Sequence, residues 1–284
     1  MLRVFTTFSG YDSQCLALDR LGIEYELVGW AEIDKYAIQA HNALYPQWKD
    51  RNYGDITKIC WHEVPDFDLL TYSSPCQDFS QAGAKAGGEK GSGTRSSLLW
   101  YIEEAIAVKK PRYLLMENVA ALVSAKFVGT FNRWQALIER YGYQNYAEVL
   151  NAKNYGVPQN RERIFLVSVL ADVSHRYYFP KPFKLERRLK DVLEQNVPER
   201  YYINDAKLQG VLASTMKEQA KAEPTDNYLI DNDIDGGGVR VIGNLQPENT
   251  WNGVIRQQNR VIDSQGLSPA LTAEHYKHEF KIKE

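Results

Sequence analysis

Leu2-Arg3-Val4-Phe5-Thr6-Thr7-Phe8-Ser9-Gly10 opens the chain. Its β-branched and aromatic residues read as a strand, and Ser9-Gly10 ends it in a turn. From Gln14 the pattern changes: Leu16, Leu18 and Leu21 recur at helical spacing until Gly22 stops them. Leu27-Val28-Gly29-Trp30-Ala31 is a second strand, ending beside the acids Glu32 and Asp34. Strand, helix and strand in this order make a βαβ unit, and such units build a mainly parallel sheet.

The alternation continues to about residue 170. Tyr36 to Leu44 reads as a helix, and Gly54-Asp55-Ile56-Thr57 as a strand end and turn. Phe67 to Leu70 is apolar, so Asp68 to Ser73 is expected to be a strand leading into Pro75-Cys76-Gln77-Asp78-Phe79-Ser80. Residues 81–95 hold five glycines and no apolar run, which predicts a long mobile loop. Ser96 or Ser97 can cap a helix with an apolar face of Leu98, Leu99, Ile102, Ala105 and Ile106. Tyr113-Leu114-Leu115-Met116 is a strand ending at Glu117-Asn118, and a helix follows near Phe131 to Tyr141. Tyr146 to Leu150 and Ile164 to Leu170 complete the set as an antiparallel edge. The fold class is therefore α/β, a Rossmann-like sheet with helices on both faces. Ligands of such sheets bind at the carboxyl ends of the strands, where Gly10, Glu32, Asp55, Cys76 and Glu117 all fall.

Composition narrows the class without naming a function. The 284 residues are 44% hydrophobic and 25% charged, an ordinary globular makeup. A net charge of -2 gives no global attraction to nucleic acid, so any such binding needs a local basic face. The three cysteines, Cys15, Cys60 and Cys76, form no C-x-x-C pair and suit a reducing compartment. No apolar stretch is long enough to span a membrane, and Met1 leads straight into a strand, so a cytoplasmic protein without a signal peptide is expected.

After about residue 180 the texture changes. Lys181 to Leu193 is basic and expected to be helical after Pro182, as a solvated surface or a DNA-facing one. Residues 222–239 are acidic and read as an exposed loop. Asp231, Asp233 and Asp235 imitate a calcium loop, but Ile242 stands at its closing position, so calcium is not expected. His275 and His278 lack cysteine partners, and zinc is not expected either. The reading gives two domains, 1–181 and 182–284, the second smaller and mostly β or irregular.

Cys76 alone admits two readings: a small buried hydrophobe, or a nucleophile on a polar loop at a strand end. Its companions decide between them. Pro75-Cys76-Gln77, Glu117-Asn118-Val119 and Gln159-Asn160-Arg161-Glu162-Arg163, in this order and with Phe8-x-Gly10 upstream, resemble the motifs of the cytosine-5 DNA methyltransferases of bacteria and phages. The resemblance is firm over residues 1–180 and weaker beyond.

The resemblance implies a methyl transfer from S-adenosylmethionine to C5 of cytosine in double-stranded DNA. C5 is a poor nucleophile, and thiolate addition at C6 activates it; thiolate is both strongly nucleophilic and a tolerable leaving group. Cys76 takes that role, and Glu117 that of the acid at N3, a task suited to a carboxyl whose pKa is raised. Arg161 and Arg163, expected on one side of the final strand by period-2 alternation, contact the target nucleotide and orient the acid. Without the other motifs, two such arginines would read as a solvated strand face.

For the donor, the resemblance points to Phe8, Ser9, Gly10 and Tyr11 at the first turn, to Glu32 for the ribose hydroxyls, and to Ile33 against the adenine. Asp55 and Ile56 would read the adenine edge, and Pro75 completes the set. The same layout suits NAD, which fold alone does not separate. Asp12 and Ser13 stand where the family has further glycines. A duplex base must be turned out before reaction, at roughly a few kcal/mol of lost stacking. Loop 81–95 is the expected lid, with Lys85, Lys90 and Arg95 for phosphates and Ser80 near the flipped site. Residues 182–284 correspond to the target-recognition region, in which Trp251 and Arg256 to Arg260 could contact DNA or form a plain surface hairpin. Ser268 to Thr272 resembles a segment near the end of that region.

The family pattern continues past such a region with a final conserved block and helix, which this sequence does not show before Glu284. The chain is expected to be one half of a split enzyme, a truncated reading frame or a minimal variant, with weak or no activity alone; the alternative to the enzyme is a non-catalytic remnant. An RNA cytosine methyltransferase is the next alternative. A nicotinamide oxidoreductase explains neither Cys76 nor the arginines.

Overall fold

The computed structural model describes residues 1–75, 95–173 and 176–198, the side chains of 95 and 96 excepted, and the backbone of six short strands between 241 and 283. The first strands follow the apolar runs. β1 (Leu2–Thr7) and β2 (Tyr25–Ala31) flank α1 (Ser13–Arg20), which ends at Gly22 with a left-handed φ of 64°. α2 (Lys35–Leu44) starts at Asp34, whose Oδ1 accepts the N–H groups of Tyr36 and Ala37 at 2.9 and 3.0 Å.

β3 is only Leu69–Tyr72, shorter than the apolar run suggested. No strand forms at 54–57. Instead the Asp55 carboxylate accepts Thr57 N–H and Oγ1–H, which closes a 3₁₀ turn at Ile56–Lys58. Arg95–Tyr101 is also 3₁₀, and the α-helix α3 begins at Ile102 and runs to Lys109, later than the serine caps implied. α3 buries Ile102, Ala105 and Ile106, and α4 (Val128–Arg140) buries Thr130, Phe131, Trp134 and Ile138, both at helical spacing. β4 (Tyr113–Val119) alternates, with Leu114, Met116 and Asn118 buried.

With β5 (Tyr143–Asn151) and β7 (Glu162–Leu170), the strands form one six-stranded sheet in the order β2-β1-β3-β4-β7-β5. β1 is parallel to β2 and β3, β3 to β4, while β7 runs antiparallel to β4. β7 is thus an interior strand and β5 the edge. The order reverses at β1, whose neighbours β2 and β3 lie on opposite sides, so the crevice for ligands lies at the carboxyl ends of these strands. Register keeps those ends level: Thr7 pairs with Ala31 and Tyr72, and Tyr72 with Met116. The residues immediately past that line are Phe8, Glu32, Ser73 and Glu117.

Chain packing separates two compact units, residues 1–150 with 163–180, and 151–162 with 181–284. The first holds the sheet and its helices. In the second, β6 (Gln159–Asn160) pairs in parallel with β12 (Ser268–Pro269). β8 (Val241–Asn244), β11 (Arg260–Asp263) and β13 (Ile282–Lys283) form a three-stranded sheet, and β9 (Thr250–Trp251) pairs antiparallel with β10 (Val254–Ile255). The helix expected over Lys181 to Leu193 is absent. Residues 181–188 carry no regular structure, and only a 3₁₀ turn at Leu189–Val192 follows, closed by Arg188 N–H to Asp191 Oδ2 at 2.7 Å. The segment has no apolar stripe to bury, and Leu189 is its one buried residue. No helix among the described residues is long and apolar enough to cross a membrane.

Candidate active site

Glu117 leaves β4 on the face opposite Met116 and Asn118. Across the antiparallel pair, Glu117 sits opposite Phe165 and Val119 opposite Arg163. Glu117 and Arg163 are therefore diagonal neighbours on one face, within reach for long side chains. They use that reach: Arg163 Nε lies 2.9 Å from Glu117 Oε1, with the two side chains 17% and 21% exposed. The pair is shielded enough to hold a fixed geometry and open enough to meet a ligand.

Arg161 is placed differently from the alternation argument. The strand breaks between Asn160 and Glu162, because Gln159 and Asn160 leave to pair with β12. Arg161 stands in that break, and its backbone is fixed by Asn151: Arg161 N–H donates to Asn151 Oδ1 at 3.1 Å, and Arg161 O accepts Ala152 N–H at 3.0 Å. Asn151 Nδ2 also donates to Asn160 Oδ1 at 2.7 Å.

β3 delivers the chain through Ser73, Ser74 and Pro75 toward Cys76. Asn118 holds this path. It is buried, and its Nδ2 donates to Ser74 O and Oγ at 3.2 and 3.3 Å while its Oδ1 accepts Val119 N–H. Beneath, Trp134 Nε1 donates to the Tyr72 hydroxyl at 3.1 Å, deep in the core, where burial holds the Tyr72 phenol above its usual pKa. Asn118 and the Trp134–Tyr72 bond had no sequence argument. The one available hint was that Asn118 falls on the inward parity of its strand. Cys76, Ser80, Lys85 and Lys90 lie outside the described residues, as do Arg256 to Asn259 and the side chains of Arg95 and Trp251.

The other rim candidates gather around the end of β1. Phe8, Gly10 and Asp12 have left-handed backbones, with φ of 53°, 59° and 66°. This path commits the loop's N–H groups internally: Ser9's to Ala31 O, Gly10's to Glu32 Oε2 and Asp12's to Ser9 O. A side chain at Gly10 would project into open space, which leaves room against the loop. Ser9 is buried, with N–H and hydroxyl both bonded to Ala31 O, whereas Tyr11 is half exposed. Glu32 bridges the two strand ends: Oε2 accepts Gly10 N–H at 2.9 Å, and Oε1 accepts the N–H groups of Ile33 and Asp34. Ile33 is 71% exposed, a large apolar side chain presented to solvent beside this acid. Asp55 is held below the usual carboxylate pKa by its bonds from Thr57 and by Lys58, while Ile56 is buried. The rim thus carries an acid at the end of β2 and an exposed apolar side chain beside it, the two features that the hydroxyls and the base of an adenosyl donor would need.

Comparison with known proteins gives the same direction. The profile of the C-5 cytosine-specific DNA methylases matches residues 2–283. The type II methyltransferase M2.ScrFI of Lactococcus lactis subsp. cremoris is 36% identical over 256 residues, covering 72% of this chain and 71% of that protein. The orphan methyltransferase M.Rho11sI of Bacillus phage rho11s is 33% identical over 303 residues, covering 96% of this chain and 58% of that protein. The chain thus spans 58% to 71% of the length of these two relatives. Among solved structures, the S. pombe Dnmt2 methyltransferase superposes over 99% of this chain and 74% of its own with a TM-score of 0.63, at 16% identity. The fold is that of the S-adenosylmethionine-dependent methyltransferases, and the chain belongs to the C-5 cytosine-specific DNA methylase family.

Proposed function

We propose that the chain is a DNA (cytosine-5-)-methyltransferase that uses S-adenosylmethionine and acts on a cytosine turned out of double-stranded DNA. The observation that carries this reading is the Glu117–Arg163 pair, which stands one register step past the line joining Tyr72 and Met116. The same line ends the strand that feeds Cys76.

In this reading Phe8, Ser9, Gly10 and Tyr11 receive the methionyl end, Glu32 the ribose, Ile33 the adenine face, and Asp55 with Ile56 the adenine edge, while Pro75 completes the donor set. S-adenosylmethionine supplies, when bound, an electrophilic methyl carbon on a sulfonium. The Cys76 thiolate bonds to cytosine C6, and the ring electrons move toward C5 as N3 takes a proton from Glu117. Arg163 fixes the Glu117 carboxyl, and Arg161 grips the target nucleotide with its fork of N–H donors. Once the sulfonium C–S bond had broken to leave a neutral thioether and the methyl carbon stood on C5, a base would remove the C5 proton, N3 would return its proton to Glu117, and the C6–S bond would break to release the Cys76 thiolate. Desolvation of the closed site strengthens each of these electrostatic contacts.

Residues 1–181 carry the chemistry in this account and 182–284 the target recognition, with the protein working in the cytoplasm of a bacterial or phage-infected cell. The test is incubation of the purified chain with duplex DNA and labelled S-adenosylmethionine, followed by nucleoside analysis. Label in 5-methylcytosine supports the proposal, and turnover by the single chain dispenses with a second subunit. Label in N4-methylcytosine or N6-methyladenine, or only in RNA, overturns it.

A further inference from the structure

Asp12 lies where the donor loop enters α1, and the chemistry above does not use it. Its left-handed backbone suits glycine, and a side chain there persists only when its surroundings hold it. The surroundings do. The carboxylate is fully buried, its Oδ2 accepts the Thr6 hydroxyl at 2.8 Å, and His41 Nε2 from α2 lies 3.5 Å from the same oxygen.

The imidazole is also fully buried and stacks on the Trp30 ring at 3.7 Å and 18°. With the Thr6 hydrogen on Asp12, the single hydroxyl hydrogen of Ser9 serves either Thr6 Oγ1 at 2.9 Å or Ala31 O at 3.3 Å. One polar cluster thus joins the end of β1, the donor loop, α1, the end of β2 and α2. The Cys15 thiol of α1 also bonds the Asp12 carboxylate, while both ring nitrogens of His41 have no hydrogen-bond partner among the described residues. Burying such groups unpaired is costly, so an Asp and a His in this place call for a role beyond filling space.

We propose that Asp12 and His41 are positioning residues for the methyl donor. Approached by Thr6 and the imidazole, Asp12 keeps Phe8 to Asp12 in the left-handed path that brings the Gly10 N–H onto the Glu32 carboxylate, and so fixes the rim against which S-adenosylmethionine would lie. This inference rests on the donor-site reading above.

The test measures S-adenosylmethionine affinity by titration calorimetry, together with KM and kcat, on the full chain. Asp12→Gly relieves the backbone but removes the carboxylate, and His41→Phe keeps the stack on Trp30 but removes the ring nitrogens. Each should weaken donor binding and raise donor KM about tenfold, at little cost to kcat at saturating donor. Asp12→Asn, which tolerates the left-handed backbone, should fall between them and the unmodified chain. The double variant should be no worse than the poorer single one, because both act through one contact.

Wild-type affinity in both Asp12→Gly and His41→Phe, or a loss confined to kcat, would overturn the proposal. If His41→Phe and Asp12→Asn both fail to fold, the cluster serves the core and not the loop, and the proposal is again overturned. An unmodified chain that does not bind S-adenosylmethionine would instead remove the donor-site reading on which it stands.

Discussion

Replacing Arg163 by Met keeps most of the side-chain stem and removes the guanidinium from Glu117. The bond lost is charge-assisted, 2.9 Å long, and about one-fifth exposed at both ends. Two unit charges near 4 Å attract by about 4 kcal/mol at an effective dielectric near 20, but part of that is returned to solvent. Charge-assisted hydrogen bonds contribute about 1.5–3 kcal/mol net, so about 2 kcal/mol is a fair figure here. If the bond orients Glu117 in the transition state, 2 kcal/mol corresponds to about a 30-fold loss in kcat. Arg163→Lys restores charge without the planar fork and should recover only part of it. Glu117→Gln, which removes the acid itself, should cost about 10² to 10⁴ in kcat. The decisive arm is the double variant: once Glu117 is Gln, Arg163→Met should cost little more, since residues acting as a unit are not additive. The assay is single-turnover methylation of a duplex at saturating donor, with donor affinity measured separately and expected to stay constant. A wild-type rate in Arg163→Met, or losses that multiply in the double variant, would refute the reasoning.

Three further outcomes follow from the packing. Trp134→Phe leaves the buried Tyr72 hydroxyl without its donor, and should lower stability to urea by about 1–3 kcal/mol; adding Tyr72→Phe should cost less than the sum of the single changes. Gly29→Ala would set a Cβ 2.5 Å from Phe5 Cε2 and 2.7 Å from Tyr53 Cε2, an overpacking worth about 1–3 kcal/mol in the same measurement. Burial, and then the charge of Asp12, hold the Cys15 thiol well above its ordinary 9.0. The folded chain therefore keeps a proton that the unfolded chain releases, so this stabilisation is complete below pH 9 and is lost as pH rises beyond it. Cys15→Ala should flatten the alkaline fall of the urea midpoint, and an unchanged slope would contradict the assignment.

Much of the sheet was legible because β1 and β2 are buried on both faces over most of their length and read as apolar runs, while β4 shows its alternation through Leu114 and Met116. Glu117 was legible as the acid at a strand end. What failed did so where a side chain redirected the backbone. Asp55 turned an expected strand end into a 3₁₀ turn, and pairing of Gln159 and Asn160 with β12 removed Arg161 from the strand that carries Arg163. Lys181 to Leu193 was read as a helix on charge and Pro182 alone, without an apolar face to bury. Asp12 was noticed only as a departure from glycine. That its carboxylate reaches Thr6 and approaches His41 depends on a contact across 29 positions, which no local pattern carries. Asn118 was quoted inside a motif, but its bond to Ser74 required the register of β3 against β4.

The central claim is that the thiolate at position 76 bonds covalently to the pyrimidine. Duplex DNA carrying 5-fluorocytosine at its methylation site tests this most directly, because fluorine at C5 blocks the proton loss that would free the enzyme. With S-adenosylmethionine present, the unmodified chain should form a complex that survives denaturing electrophoresis, with peptide mass spectrometry placing the bond on Cys76, and Cys76→Ser should form none. A complex of undiminished yield in Cys76→Ser, or methyl transfer undisturbed by that substitution, would contradict the account.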